Sequence, residues 1–286
     1  MMGKNYRAEL VGVFGDPVDE NPTVVLEEAA FRELGLNYKY LNFHVTSEHL
    51  AEAVKGLKAM GFRGINLTIP HKQDVVPLLD ELSEAARIIG AVNTVVVRED
   101  GILFGENTDG KGFIESLKQA GVSLKNRRMV LLGAGGAARA IAVEAAFAGI
   151  NSIIVVNRNE GRGRELVKLI GTATQSSAEF VPWNKTYTIP AQTDILVNAT
   201  SVGLYPNVND CPDIVLDSIS SEMTVCDVIT NHPMTVLLKA AQARGAKIID
   251  GLGMLVNQGA IGFQLWTGLE APTEVMHRAI REEFGL

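Results

Sequence analysis

The segment Val130-Leu131-Leu132-Gly133-Ala134-Gly135-Gly136-Ala137-Ala138-Arg139 constrains this chain more than any other stretch. An apolar run meets two closely spaced glycine positions and then a run in which Ala137, Ala138, Ala140 and Ala142 recur. That order reads as a strand, a tight turn and the start of a helix. Gly133 permits the sharp turn, and Gly135 removes a side chain where an anion must approach the backbone. The N–H groups of the helix's first turn then face a pyrophosphate. A lone glycine-rich turn is a weak signal, but the strand before it and the small-residue helix after it supply the context of a dinucleotide site.

The next strand-like run ends at Val155-Val156-Asn157-Arg158. NAD-binding sites of this type carry an acid about 20 residues beyond the glycines, bonded to the ribose 2′-hydroxyl. Here that place holds Asn157 and Arg158, with Arg162 one turn on. Guanidinium groups suit a 2′-phosphate dianion, which an acid would repel, so NADP(H) is the expected cofactor. The competing reading is a solvated helix start, with Glu160 close enough to offset the two arginines.

At 286 residues the chain exceeds one typical domain and suits two. Its 47% hydrophobic and 21% charged residues fit a globular enzyme. The net charge is −7 and the basic residues are scattered, which argues against nucleic acid or an anionic membrane as partner. No run approaches the roughly 20 apolar residues of a membrane span. Met1 to Gly15 has only a five-residue apolar run, Leu10 to Phe14, and no signal peptide is expected. Cys211 and Cys226 lack CxxC spacing, so a reduced cytoplasm is the default location. The five histidines show no ligand spacing, and no metal is expected.

The first hundred residues alternate strand and helix patterns. Leu10–Phe14, Tyr38–Val45, Gly64–Ile69 and Ala91–Val97 read as strands. Pro22–Leu34, Glu48–Met60 and Val75–Ile89 read as helices, the first two stopped by Gly35 and Gly61. This order implies a mostly parallel sheet covered by helices. A helix from about Lys111 to Gly121 leads to a second series, with strands at Met129–Leu132, Ser152–Val156, Ile195–Asn198, Thr224–Val228 and Lys247–Ile249. From Met254 the chain reads as helical to its end, with Trp266 and Phe284 as packing anchors.

Asn66-Leu67-Thr68-Ile69-Pro70-His71-Lys72 lies at the carboxyl end of a strand, where open α/β sheets place their chemistry, and Gly105-Glu106-Asn107-Thr108-Asp109-Gly110 follows the next strand pair. A lysine and an aspartate brought together there form a proton-transfer pair. Taken singly, Lys72 reads equally as a surface lysine and Asp109 as a helix cap.

Together with Gly90-Ala91-Val92-Asn93-Thr94, Gly133-Ala134-Gly135-Gly136, Asn157-Arg158, Asn198-Ala199-Thr200-Ser201-Val202-Gly203 and Asp250-Gly251-Leu252-Gly253-Met254-Leu255-Val256-Asn257-Gln258, these segments resemble the signature blocks of the shikimate dehydrogenase family, in order and over nearly the whole chain. The resemblance implies an α/β protein of two domains with a cleft between them. Residues 1–109 and 252–286 would form the substrate domain, and 110–251 a Rossmann-like, doubly wound NADP domain. It assigns Lys72 and Asp109 to catalysis, and Thr68, Asn93 and Gln258 to ring hydroxyls. Gly133, Ala134, Gly135, Gly136 and Ala137 would hold the pyrophosphate, and Asn157, Arg158 and Arg162 the 2′-phosphate. Thr200, Gly251 and Met254 would line the nicotinamide. The implied reaction is NADPH-dependent, reversible reduction of 3-dehydroshikimate to shikimate, in aromatic amino acid biosynthesis, by a monomer or homodimer.

Two segments depart from the family pattern. Its first motif carries two serines that hold the substrate carboxylate, whereas this chain has Gly15-Asp16-Pro17-Val18-Asp19-Glu20-Asn21-Pro22-Thr23, a loop that reads as shorter. Asn21 and Thr23 remain as donors, while Asp19 and Glu20 would repel a carboxylate unless they point to solvent. In Asp227-Val228-Ile229-Thr230-Asn231-His232, Thr230 stands where the family has a substrate-contacting tyrosine. Both changes face the substrate, so quinate or a ring polyol lacking a carboxylate is the alternative. A non-catalytic NADP-binding regulator is a third reading, opposed by the intact Lys72 and Asp109.

Overall fold

The computed structural model of the chain describes residues 6–286. The chain separates into two compact units: one runs up to Thr108 and resumes at Gln258–Leu286, and the other is Asp109–Asn257. The first division lies one residue before the expected 109/110 boundary and the second six residues beyond 251/252.

The first unit contains β1 (Glu9–Gly15), α1 (Thr23–Glu33), β2 (Tyr38–His44), α2 (Leu50–Met60), β3 (Gly64–Leu67), α3 (His71–Asp74), β4 (Glu81–Leu82), α4 (Glu84–Ile89), β5 (Thr94–Val97) and β6 (Leu103–Glu106). Its sheet has the order β2-β1-β3-β5-β6-β4. Helical crossovers keep β1 parallel to β2 and β3, while β5 runs antiparallel to β3 and β6. The sheet is therefore mixed: β6, the second member of the strand pair expected before Gly105, returns from β5 as a hairpin and takes in Gly105 and Glu106. The long helix expected over Val75–Ile89 is also absent. Pro77 lacks a donor N–H, Leu79 is extended (φ −102°, ψ 147°), and the Ser83 hydroxyl accepts from Ala86 N at 3.0 Å to start α4 afresh. Phe14, Val54, Leu57, Ile65, Leu67, Val92 and Val95 are buried together beneath this sheet.

The second unit follows with α5 (Thr108–Gln119), β7 (Arg128–Leu132), α6 (Gly136–Phe147), β8 (Ser152–Asn157), α7 (Glu160–Ala173), β9 (Ser177–Pro182), β10 (Ile195–Asn198), β11 (Thr224–Asp227), α8 (Val236–Ala243), β12 (Lys247–Ile249) and the first part of α9 (Gly251–Thr267). Its strands are all parallel in the order β12-β11-β10-β7-β8-β9, a doubly wound sheet whose order reverses between β7 and β10. Met129, Leu131, Ile153, Val155 and Val197 pack with Leu117, Ile141 and Leu166 on one face. Their alternates Val130, Leu132, Val156, Leu196 and Val225 pack with Trp183, Ile214, Leu237 and Leu238 on the other. Burial on both faces explains why these strands read as continuous apolar runs. Strand β9 was unforeseen because, at the sheet's edge and half-exposed, it lacks that run.

The helical tail breaks at Gly268 (φ 73°) before α10 (Thr273–Glu283). Trp266 is buried in the first unit and donates from Nε1 to Val95 O at 3.0 Å, where Gly64 leaves room for the ring. Phe284 is only partly buried; Met276 and Ile280 are the buried anchors of α10.

Candidate active site

In the second unit the turn after β7 adopts the geometry its glycines suggest. Gly133 has φ +109°, a conformation L-residues avoid, and a Cβ there would lie 2.9 Å from Ala199 O and 3.1 Å from Thr200 Cγ2. The turn therefore packs on the loop after β10, at the reversal point of the sheet. A Cβ at Gly135 or Gly136 would meet nothing within 4 Å, so the backbone at the head of α6 is open to an approaching group. Ala134 and Ala137, both partly buried, flank it. The donor set and the exposed glycine backbone fit a pyrophosphate.

At the end of β8, the Asn157 amide donates to Asn159 O at 2.8 Å, and the Asn159 side chain caps α7 by accepting from Arg162 N at 2.9 Å. Arg158 and Arg162 are exposed on either side of this cap. Glu160, the residue that could have offset them, is bonded to Arg164 at 2.7 Å.

The loop after β10 is held by Asn198. Its Oδ1 accepts from the Thr200 hydroxyl at 2.6 Å and Thr200 N at 3.2 Å, and its amide donates to Val202 O and to Asp227 Oδ1. Asp227 also accepts from Thr235 Oγ1 at 2.8 Å and Ile229 N at 3.2 Å. Burial nevertheless pushes its carboxyl up to about 6, against the lowering effect of these donors. Gly251 lies against the backbone of Val228 and Ile229, and Met254 is partly buried against the core of this unit.

In the first unit Asn93 is the hub. Its Oδ1 accepts from Thr108 N at 2.7 Å, and its amide donates to Thr108 Oγ1 at 2.9 Å and Gln258 Oε1 at 3.4 Å. Asp109 is the next residue along the chain from Thr108. The carbonyl of Lys72 accepts from Val92 N at 2.7 Å, and Thr68, partly buried at the end of β3, donates from its N–H to Phe14 O at 3.0 Å. Thus the structure gathers Asn93, Thr108 and Gln258 directly and fixes the backbones of Lys72 and Thr68 on adjoining segments.

The loop before α1 is engaged differently. Asn21 Oδ1 accepts from Thr23 N at 3.0 Å, starting the helix, and Asn42 Nδ2 donates to Asn21 O at 3.1 Å. Thr23 is buried and faces the Tyr40 hydroxyl. Asp19 and Glu20 are exposed, and Asp16 meets His44 Nε2 at 2.9 Å.

Sequence reasoning missed the supporting polar groups. Tyr40 donates to Asn66 Oδ1 at 2.7 Å, and Asn66 donates to Asn93 O and Thr94 Oγ1, both at 3.0 Å. Glu27 lies fully buried beside Tyr40 with neither carboxyl oxygen hydrogen-bonded, and burial pushes its carboxyl well above the usual range. A charged residue on the inward face of α1, one turn after Thr23, was the available signal.

Family models match in chain order: the shikimate dehydrogenase substrate binding domain over residues 13–95, shikimate / quinate 5-dehydrogenase over 115–211, and the shikimate 5′-dehydrogenase C-terminal domain over 251–281. The shikimate dehydrogenase (NADP(+)) of Desulforamulus reducens is 41% identical over 98% of this chain and 97% of its own length. The chain belongs to the shikimate dehydrogenase family. Among solved structures of this fold, the ligand-free 5-ketofructose reductase of a Gluconobacter species shares 46% identity with a TM-score of 0.94, covering 98% of this chain and 100% of the other. The shikimate 5-dehydrogenase of Thermus thermophilus, in complex with NADP(H) and shikimate, shares 36% identity with a TM-score of 0.83, covering 96% and 99%. Among the described residues, no helix is long and apolar enough to cross a membrane.

Proposed function

We propose that the chain is an NADP(H)-dependent oxidoreductase that interconverts a ring secondary alcohol and its ketone, with 3-dehydroshikimate and shikimate as the pair its family points to. The observation that carries this reading is the Asn93 hub: one amide ties Gln258 to Thr108, the residue before Asp109, while the adjacent Val92 N–H holds the Lys72 carbonyl. In this reading the first unit takes the substrate, with Thr68, Asn93 and Gln258 bonded to its hydroxyls. Lys72 gives a proton to the carbonyl oxygen during reduction and recovers it during oxidation, and Asp109 orients the lysine. The second unit takes the cofactor: Gly133 to Ala137 hold the pyrophosphate, Asn157, Arg158 and Arg162 the 2′-phosphate, and Thr200, Gly251 and Met254 the nicotinamide side. When bound there, NADPH supplies the hydride. Cys226 and Cys211 are free thiols, which favours a reducing compartment, the cytoplasm.

NADPH oxidation with 3-dehydroshikimate tests the mechanism. Lys72→Ala should lower kcat by a factor on the order of 10² to 10⁴, the usual worth of a positioned acid–base group. Equal rates in the two proteins would remove Lys72 from the reaction.

A second reading is a neutral polyhydroxylated ketone as substrate. It is favoured by the 46% identity to a 5-ketofructose reductase and by a loop in which Asn21 starts α1, Thr23 is buried and the nearby side chains are acidic. Specificity constants for 3-dehydroshikimate, 3-dehydroquinate and 5-keto-fructose decide between them: preference for the first by orders of magnitude ends this second reading. Turnover of any of them excludes a purely regulatory NADP-binding role.

A further inference from the structure

Arg158 is exposed at the end of β8, and its guanidinium carbon lies over Trp183, 5.7 Å from the ring centre. The indole beneath it is fixed. Trp183 is 7% exposed, its Nε1 donates to Asp213 O at 3.0 Å, and its backbone N–H donates to Asn157 O at 3.1 Å. That backbone bond reaches the residue before Arg158, so ring and guanidinium share one end of the sheet.

Two nearby arginines have carboxylate partners. Arg139 pairs with Glu165 at 2.7 Å, and Arg164 pairs with Glu160 at 2.7 Å while lying over Phe180. A carboxylate neutralises the charge it holds; an aromatic face positions a guanidinium and leaves its charge and its N–H groups for an anion.

We propose that Trp183 is a specificity-determining positioning residue for the cofactor's 2′-phosphate, holding the Arg158 guanidinium in place before the dinucleotide arrives. The proposal rests on the reading that Arg158 takes this phosphate. An arginine confined in advance loses less rotamer freedom on binding, and its planar fork bonds the phosphate with fewer wasted orientations. Trp183 acts through Arg158 alone, so it bears on NADPH and not on NADH, which lacks the phosphate.

The test is the ratio of kcat/KM for NADPH to that for NADH, with the ketone that the wild-type chain reduces. Trp183→Leu should lower this ratio about threefold to fivefold, as expected for a cation–π contact near the surface, with kcat/KM for NADH changed less than about twofold. A ratio equal to the wild-type value overturns the proposal, and so does an equal fall for both cofactors, which marks a structural role. If wild type itself shows no preference for NADPH, the 2′-phosphate reading fails and this proposal with it. A wild-type preference that survives Trp183→Leu removes the proposal alone. Should Trp183→Leu fail to fold, Trp183→Met, which fills more of the indole's volume without an aromatic face, decides: a lowered ratio with kcat/KM for NADH unchanged supports the proposal, and an unchanged ratio overturns it.

Discussion

Asp227 makes a quantitative prediction about stability. The residue is 2% exposed, its carboxyl accepts from Asn198, Thr235 and Ile229, and burial still raises it from the ordinary 3.8 to about 6. A folded-state value above the unfolded one means that the group stabilises the fold at low pH, and that this contribution disappears as pH rises through about 6. At 1.36 kcal/mol per pH unit, the loss between pH 3.5 and 7.5 is about 3 kcal/mol. Asp227→Asn removes it. The amide oxygen still accepts from Asn198 and Ile229, and its NH₂ faces the Thr235 hydroxyl, which can accept. The stability of Asp227→Asn relative to the parent should therefore rise by about 3 kcal/mol between pH 3.5 and 7.5. Urea unfolding across this range, in a Trp266→Phe background that leaves Trp183 as the sole indole reporting on the second unit, measures the difference. Parallel pH profiles for the two proteins would refute the reasoning.

Glu27→Gln should follow the same sign. The Glu27 carboxyl is raised by burial, so the variant should match wild type near pH 4 and exceed it at pH 8 by more than about 1 kcal/mol, read by denaturant unfolding. Gly133→Val forces a side chain into a φ of +109° and against Ala199 O and Thr200. It should abolish NADPH binding in a fluorescence titration and cost about 1–3 kcal/mol of stability.

The second unit was legible because its strands are buried on both faces. Such runs as Val130–Leu132 and Ile195–Val197 stand out from their flanks, and the glycines at 133 and 135 mark the turn that follows the first of them. Strand β9, exposed along one side, carries no such contrast. In the first unit the apolar spacing of Val75–Ile89 mimicked a helix, because Val75, Leu82 and Ala86 reach the same core from a helical turn, a short strand and a capped helix. Pro77 and Ser83 mark the interruptions, and each residue type also occurs at helix starts, so neither by itself separates a break from a beginning. The geometry of the candidate site was legible where a residue type fixes it by itself, as at Gly133 in its turn. It was illegible where the role is relational: Asn198, Asp227, Thr108 and Tyr40 act through partners, as far off as 150 positions for Thr108 and Gln258, whose pairing only the fold creates.

The Asn93 amide has consequences for where such a chain can be altered. It bonds Thr108 through both its oxygen and its nitrogen and reaches Gln258 as well, so an altered side chain there would loosen two chain segments at once. Within the loop before α1, Asp16, Val18 and Asn21 are likewise bonded to His44, Asn42 and Thr23, whereas Asp19 and Glu20 are exposed. Substitution at those two surface positions thus leaves the buried network around Asn93 untouched.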